Sequence, residues 1–343
     1  MSIVNRILSG VGFGSHAQWT EQQALDCKLF LHIPKTAGTS FRKAVQDVIG
    51  RERVVRDYGD DAAETSTSIR DTVLASGDPL QVLEAVRRDQ GLMLSGHLNV
   101  ARYGGIFGLG NTLTILREPV SRVVSHYRHA VRHLGFKGDL MAFARKREFR
   151  NLQTRMLVNL DPAIFGLVGI TEQYNLTLKI AEHRWGWKLK RLRNNVGDEL
   201  GAFKVTADEQ QRKEIAELNQ GDQRRYDRAS FVLTNTDRCL KQGIAVEPRG
   251  GITFLQPGQE IRGWGFGLGA SEPLKVLLSV NGKERGFADC THFSPALACW
   301  KMPRQGHIGF MASDIRPKQG DVVELRDTVH GILLDRKAVS APG

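Results

Sequence analysis

Short apolar runs alternate with longer amphipathic stretches over residues 28–243. The clearest apolar runs are 28–32, 92–96 and 112–116. Strands that alternate with helices in this way are typical of β-α-β units, so the pattern predicts an α/β fold with a parallel sheet and flanking helices. Ligands of open α/β sheets bind beyond the carboxyl ends of the strands, which makes the residues after each run the first candidates for a site.

The pattern changes near residue 245. Gly and Pro become frequent, helical periodicity is rare, and short alternating runs occur at 252–255, 275–280 and 322–325. Asn281-Gly282 lies between two such runs and is a strong signal for a two-residue hairpin turn. We therefore predict an N-terminal extension at 1–27, an α/β domain at 28–243, and an accessory all-β, sandwich-like module at 245–343 that folds independently.

The charge balance narrows the choice of partners. The 343 residues include 48 Lys and Arg against 37 Asp and Glu, a formal net charge of +11. Such an excess favours anionic partners, among them nucleic acid, anionic lipid, nucleotide phosphates and acidic glycans, without choosing between them.

Targeting and redox signals are weak. No apolar run reaches the length of a signal peptide or a membrane span, so we expect a soluble, cytoplasmic protein. The four cysteines form no Cys-x-x-Cys pair and lie at no zinc-finger spacing, which predicts free thiols and suits a reducing compartment.

The first chemical motif follows the first apolar run. His32-Ile33-Pro34-Lys35-Thr36-Ala37-Gly38-Thr39-Ser40 leads from a strand into a helix through small residues. Small residues let main-chain N–H groups close around a phosphate, and the helix start adds positive potential. Lys35 precedes Gly38, whereas the NTPase P-loop places its lysine directly after the last glycine. The sequence predicts a P-loop-like phosphate site of a different kind; the alternative is an ordinary strand–helix turn with a solvated lysine.

The second motif follows the run 112–116. Arg117-Glu118-Pro119 closes the strand, and Pro119 is suited to the first position of a helix. The Arg117 guanidinium can bind a phosphate through two hydrogen bonds, with Ser125 adding a hydroxyl. The alternative is a surface salt bridge of Arg117 with Glu118 or another acid. Kinases and ATPases use an Asp at a strand end for Mg²⁺, so an arginine here argues against a metal-bound triphosphate. The predicted apolar face of this helix comprises Val120, Val123, Val124, Tyr127, Val131 and Leu134, and the opposite side Ser121, Arg122, Ser125, Arg128 and Arg132.

The third motif is Ser95-Gly96-His97 at the end of the run 92–96. Histidine is the usual general base near neutral pH, so His97 is a candidate base, although a lone histidine also occurs in purely structural roles. His32 and His126 are the competing histidines. We expect the first to be structural and the second to be packed or solvated.

Together these motifs resemble the sulfotransferase family that includes the heparan-sulfate 2-O-sulfotransferases and many bacterial carbohydrate sulfotransferases. Segment 32–40 is similar to the family's 5′-phosphosulfate loop, 117–127 to its 3′-phosphate motif, and 95–97 to the segment with its catalytic base. Segments 151–157 and 169–172 continue the similarity, which covers roughly residues 28–243.

The resemblance implies transfer of a sulfuryl group from 3′-phosphoadenosine 5′-phosphosulfate (PAPS) to a hydroxyl, with 3′,5′-adenosine bisphosphate as product and no metal. It implies His97 as the base, Lys35 as a catalytic cation, and Gln153 and Arg155 as residues of the acceptor cleft. The residues it assigns to the donor are Lys35, Thr36, Ala37, Gly38, Thr39, Ser40, Arg117 and Ser125.

Two departures refine this expectation. The anchored Golgi members carry a membrane span, which the present sequence lacks, so a cytoplasmic, bacterial-type enzyme fits better. The β-module is not part of the catalytic family, and 261–266 and 308–310 are similar to small β-modules appended to bacterial glycan-modifying enzymes. We therefore expect a saccharide or glycoside acceptor and no nucleic acid partner; the sulfated position and the oligomeric state stay open.

Two other functions are compatible with parts of the sequence. A nucleotide-dependent phosphotransferase would use the same loop, but the early Lys35 and the missing strand-end Asp count against it. A non-catalytic basic module for polyanions would use the basic runs 145–150 and 188–193, although such runs are usually solvated helix faces.

Overall fold

The computed structural model describes residues 20–190 and 206–340. Most of the predicted N-terminal extension, and residues 191–193 of the second basic run, lie outside the described residues. The first part of the chain is built on five parallel strands in the order β2-β3-β1-β4-β5. Their bounds are β1 Lys28–Leu31, β2 Val54–Asp57, β3 Met93–Gly96, β4 Thr112–Leu116 and β5 Leu167–Ile170. The predicted α/β class and parallel sheet are confirmed.

Helices flank this sheet and connect its strands. A π-type turn at Arg70–Leu74 continues the helix Thr67–Ile69, and the long helix Gln220–Lys241 leads into the β-module. The helices are α1 Glu21–Leu25, α2 Gly38–Ile49, α3 Thr67–Ile69, α4 Val82–Arg88, α5 Gly104–Phe107, α6 Pro119–Leu134, α7 Leu140–Ala144, α8 Leu152–Met156, α9 Tyr174–Trp185, α10 Glu209–Leu218 and α11 Gln220–Lys241.

Helix α6 begins at Pro119, as predicted, but its buried surface differs from the prediction. Leu134, expected in the core, is 69% exposed. Arg122, expected on the polar side, is fully buried, with its Nε 3.7 Å from the Asp222 carboxylate and its Nη2 donating to the Phe149 carbonyl at 2.7 Å. The polar-side prediction is wrong for Arg122 because a second layer, formed partly by α11, covers that side of α6.

Residues from 248 onward form two four-stranded antiparallel sheets, β10-β11-β7-β6 and β13-β12-β8-β9. The predicted hairpin is present: Asn281 and Gly282 have φ of 51° and 75° between β8 and β9. The elements are β6 Pro248–Phe254, β7 Ile261–Gly267, β8 Lys275–Val280, β9 Lys283–Asp289, β10 His292–Phe293, α12 Pro295–Ala298, β11 His307–Ala312, β12 Val322–Asp327 and β13 Leu333–Ala338.

The β-module shares its packing with the α/β domain. Trp264, Phe266 and Ile308 belong to the same buried apolar cluster as the parallel sheet. The main-chain N–H of Leu109, just before β4, donates to the Trp300 carbonyl at 3.1 Å. Because these contacts involve the amino end of the parallel sheet, the module lies away from the carboxyl ends where the site was predicted.

Helix α11 links the two parts through Arg228. The Arg228 guanidinium reaches Asp161 at 3.0 Å and donates to the carbonyls of Leu334 and Gly250 at 2.7 and 2.6 Å. Cys239, near the end of the helix, packs in the core between the two β-sheets. The boundary at 243–245 stays a prediction, and the continuous packing across it predicts that the two parts depend on each other for stability.

No helix in the described ranges combines the length and the apolar character needed to cross a bilayer. Three cysteines, Cys27, Cys239 and Cys290, are buried and Cys299 is exposed; all four are free.

Candidate functional site

The three predicted motifs meet at the carboxyl ends of neighbouring strands of the parallel sheet. Strand β1 lies between β3 and β4, so the loop after β1, His97 after β3 and Arg117 after β4 are neighbours. This is the crevice in which open α/β sheets bind ligands.

The loop after β1 has a backbone suited to an anion. Lys35 and Ala37 adopt left-handed conformations, with φ of 68° and 66°, which non-glycine residues rarely do. The Thr36 hydroxyl fixes the turn by donating to the Ile33 carbonyl at 2.9 Å. Left-handed residues at a turn direct successive N–H groups to one side and form an anion-binding concavity. Strain of this kind persists where surrounding structure holds it and is common at ligand sites.

The helices that follow β1 and β4 differ at their first turns. No side chain caps the start of α2, so its first N–H groups face the loop. At α6 the Glu118 carboxylate accepts from the N–H groups of Val120 and Ser121 at 2.9 and 2.7 Å. The start of α2 is therefore available to a phosphate, whereas the start of α6 already holds an anion. Among the residues assigned to the donor, Thr39 is half-buried and Ser40 is buried in the first turn of α2.

Arg117 connects the second motif to the first. Its Nη1 donates to the Lys35 carbonyl at 3.2 Å. Ser125 is half-buried on α6.

Gln153 holds the main chain of Arg117 in place. The Gln153 side chain accepts from the Arg117 N–H at 2.8 Å and donates to the Arg117 carbonyl at 2.9 Å. It is fully buried, and its own N–H donates to the Asp222 carboxylate at 3.2 Å. Arg155 is exposed and donates to the Glu148 and Arg150 carbonyls at 2.5 and 3.1 Å. The structure thus gives Gln153 a supporting place behind Arg117 and Arg155 a place at a surface loop; their proposed acceptor role stays a prediction.

His32 is a buried histidine held by a hydrogen-bonded chain. Its Nδ1 lies 2.7 Å from the Tyr58 hydroxyl, which lies 3.1 Å from the Ser95 hydroxyl. Burial, and then the nearby charges of His97, Arg42 and Lys35, holds the pKa of His32 well below its usual value. His32 is therefore neutral at physiological pH.

The His32 ring also explains Gly38. A Cβ atom on Gly38 would lie 2.0 Å from Cδ2 of His32, closer than any real contact. Gly38 is required here because any side chain would collide with this ring.

Gly96 and His97 are each joined to His32, the residue after β1, by one hydrogen bond. The His32 N–H donates to the Gly96 carbonyl at 3.0 Å, and Nδ1 of His97 lies 2.6 Å from the His32 carbonyl. A carbonyl only accepts, so Nδ1 carries the hydrogen and Nε2 keeps its lone pair. Gly96 admits this arrangement, because a Cβ there would lie 2.0 Å from the Asp57 carbonyl oxygen.

The protonation of His97 follows from its surroundings. The residue is exposed in the crevice, yet protein atoms around the ring and the charge of Arg42 lower its pKa, while the hydrogen bond to His32 and the charge of Glu64 oppose that shift. The net shift of the His97 pKa is downward, with desolvation of the ring by these protein atoms as the largest cause. His97 is thus placed as a neutral imidazole with one nitrogen able to take a proton.

Three residues of this site carried no sequence signal. Arg42 is buried, pairs with Glu64 at 3.0 Å, and has its guanidinium 5.5 Å from the Tyr58 ring centroid. Arg42 follows Phe41 on α2 and resembles an ordinary surface arginine in the sequence. Tyr58 and Glu64 lie in the connection after β2, which contains no recognisable motif.

His126 is packed, as expected. Its ring contacts Phe143 and Phe149 with centroids 5.4 and 5.0 Å away, and burial lowers its pKa to about 3. In residues 20–190 and 206–340, no group of three His, Cys, Asp or Glu side chains could hold a metal ion.

Among solved structures, the comparison includes a distant structural similarity. No family model matches the sequence, and no curated protein matches it. The crystal structure of a sulfotransferase from Alicyclobacillus acidocaldarius is similar to this chain with 12% sequence identity and a TM-score of 0.33, over 59% of this chain and 94% of that one. The functional assignment therefore depends on the site residues.

Proposed function

We propose that the protein transfers a sulfuryl group from PAPS to a hydroxyl group of a saccharide. The observation that carries the proposal is the contact of Arg117 with Lys35, because it joins the two predicted phosphate sites in one crevice. A donor with phosphates at both its 3′ and 5′ positions matches two anion sites of this kind, whereas a nucleotide with a single phosphate group needs only one.

The chain's own groups divide the task of holding the donor. The strained loop, the uncapped start of α2 and the Lys35 ammonium would hold the 5′-phosphosulfate, with Thr36, Thr39 and Ser40 adding hydroxyls. Arg117 and Ser125 would hold the 3′-phosphate. Gln153 keeps the main chain of Arg117 fixed, so the guanidinium is oriented before the donor binds.

The reaction needs a base on one side of the sulfur and a cation on the other. The acceptor oxygen forms a bond to sulfur, the bond from sulfur to the 5′-phosphate oxygen breaks, and the acceptor proton moves to Nε2 of His97. Lys35 neutralises charge on the departing phosphate oxygen. Because the His32 carbonyl holds Nδ1–H, the free lone pair of His97 is on the nitrogen that faces away from the strand end.

The saccharide acceptor is supported by two features. The family that the motifs resemble acts largely on carbohydrates, and the chain carries an accessory β-module. The net charge of +11 favours an acidic glycan over a neutral one.

Calorimetry with two nucleotides tests the proposal. We expect 3′,5′-adenosine bisphosphate to bind at least tenfold more tightly than AMP, since a charge-assisted hydrogen bond contributes about 1.5–3 kcal/mol. Arg117→Met should remove most of this preference, whereas Arg145→Met, which changes an exposed arginine paired with Glu214, should keep it. Equal affinities in the wild type would remove the basis for Arg117 and Ser125.

A transfer assay completes the test. Labelled PAPS is incubated with a panel of bacterial glycans, with and without a chelator, and the product is analysed for sulfate. Activity should survive the chelator. A strict Mg²⁺ requirement would instead favour the phosphotransferase.

A further inference from the structure

A groove of about 470 Å³ crosses the outer face of the sheet β10-β11-β7-β6. It lies between β7 and β11 on one side and the segment Ser294–Leu297 on the other. Its size falls in the range of about 300–1,000 Å³ that is usual for small-molecule sites. None of the predicted catalytic or donor residues lines it.

The groove owes its depth to a glycine beside a tryptophan. Trp264 on β7 pairs with Gly309 on β11, and the next pair on the same face of the sheet is Arg262 with Met311. A Cβ on Gly309 would lie 2.8 Å from the Ser294 hydroxyl, so any side chain there would fill the groove. Trp264 lines the groove but is only 3% exposed, so the accessible aromatic surface of the groove is that of Phe293.

The walls combine exposed apolar surface with polar groups. Phe293 and Met311 are 52% and 42% exposed, although such side chains are usually buried. Thr253, Arg262, His292 and Ser294 supply hydroxyl, guanidinium and imidazole groups beside them. A flat apolar surface with hydrogen-bonding groups at its edge fits a sugar ring, whose C–H face packs on an aromatic ring while its hydroxyls point outward.

The charge around the groove favours an acidic ligand. Arg262 and Arg316 share one carboxylate, that of Glu260, so the three side chains together keep a positive charge. Arg262 lines the groove, and its guanidinium lies 5.5 Å from the Phe254 ring centroid. A carboxylate or sulfate on a sugar would meet a cation at this wall.

We propose that this groove binds an acidic saccharide chain and holds the acceptor at a second place, away from the transfer site. The proposal rests on the proposed function only in naming the bound chain as the acceptor. The module packs at the amino end of the parallel sheet, through Trp300 and Leu109, whereas His97 and Arg117 lie at its carboxyl end. The groove acts as an anchor for a long chain and takes no part in the chemistry.

Binding measurements on the whole protein test this inference. The groove variant is Arg262→Ala/Phe293→Ala. The control is Arg336→Ala/Phe287→Ala, which removes another arginine and another phenylalanine, 63% and 61% exposed, from the same module outside the groove. The probes are alginate and hyaluronan oligosaccharides, dextran oligosaccharides as neutral saccharides, and polyglutamate as an acidic polymer without sugars.

The expected result is binding of at least one acidic saccharide that the groove variant weakens tenfold or more and the control leaves within twofold. Dextran should bind at least tenfold more weakly than that saccharide, and polyglutamate should show no dependence on the groove. Equal binding of an acidic saccharide by the groove variant and the control, no binding of either acidic saccharide, or groove-dependent binding of polyglutamate would each overturn the proposal.

Donor binding separates this result from the proposed function. Affinity for 3′,5′-adenosine bisphosphate is measured with the same proteins and should be the same in wild type, groove variant and control. If the wild type binds the acidic saccharide through the groove but shows no preference for the bisphosphate over AMP, the groove proposal stands and the sulfotransferase proposal is wrong.

Discussion

Nδ1 of His97 lies 2.6 Å from the main-chain oxygen of His32. The residue that begins the proposed donor loop thereby sets the tautomer of the proposed base. Donor loop and base are thus one hydrogen-bonded unit, and a disturbance of the loop should reach the proton-transfer step. The following predictions separate the parts of that unit.

His97→Ala should lower kcat by about 10²–10⁴-fold, the usual contribution of a general base, and leave the affinity for 3′,5′-adenosine bisphosphate nearly intact. His133→Ala is the matched control, because His133 is exposed in the last turn of α6. Steady-state kinetics and calorimetry on both variants give the comparison. Normal turnover in His97→Ala, together with loss of turnover but not of donor binding in His32→Ala or His126→Ala, would show that the base has been misassigned.

The pH dependence should show a base that acts in its neutral form. The pKa of His97 is lowered, so kcat/KM should rise with pH through a value below the usual 6.5 and stay level above it. Arg42→Met removes a cation that lowers this pKa and leaves Glu64, which raises it, without its partner; the rise should therefore move to higher pH. A profile unchanged in Arg42→Met would mean that Arg42 does not act on the base.

Gly38→Ala should damage both stability and turnover. The added methyl group would meet the His32 ring at 2.0 Å, and overpacking of this kind costs about 1–3 kcal/mol. The displaced ring should also disturb the carbonyl that holds His97, which lowers kcat. Gly110→Ala is the control, since a Cβ there would meet nothing within 4 Å. Urea denaturation and kinetics should therefore distinguish the two variants clearly.

Arg228→Met should destabilise the whole chain. It leaves Asp161 and Asp335 without the guanidinium that lies between them and removes the donor of two carbonyls of the β-module. Breaking a buried ion pair from one side costs about 3–5 kcal/mol. Arg224→Met, at an exposed position one turn earlier on α11, should change little. If the two parts fold independently, Arg228→Met should destabilise only the α/β domain, through the lost Asp161 pair, and leave the unfolding of the β-module unchanged.

The sequence predicts those features of the site that depend on neighbouring residues. The loop 32–40, the Arg117 strand end and the Asn281-Gly282 hairpin each follow from local chemistry, because strand, turn and helix start are consecutive in the chain. The positions of His97 and Arg117 beside the loop follow from one further rule, the alignment of parallel strand ends.

Contacts between distant segments lie beyond such reasoning. Arg122 is buried beside Asp222, which lies one hundred positions later in the sequence. The periodicity of α6 gives no indication of that partner. Tyr58 and Arg42 join the site only because the connection after β2 folds back over α2. The dependence of Gly38 on His32 is similar: six residues separate them, but the contact exists only in the folded turn.

Helix α11 sets a geometric relation between the two ends of the protein. It has 22 residues and is about 33 Å long. Asp222, near its start, accepts from the N–H of Gln153, which holds the main chain of Arg117. Arg228 donates to the Gly250 carbonyl of the β-module, and Cys239, near the end of the helix, lies in the module core. Because the helix contacts both parts, it holds the β-module against the α/β domain. A saccharide bound in the groove would then present to His97 a sugar unit at a fixed separation from the bound unit. The helix would thereby set which position along the saccharide is modified.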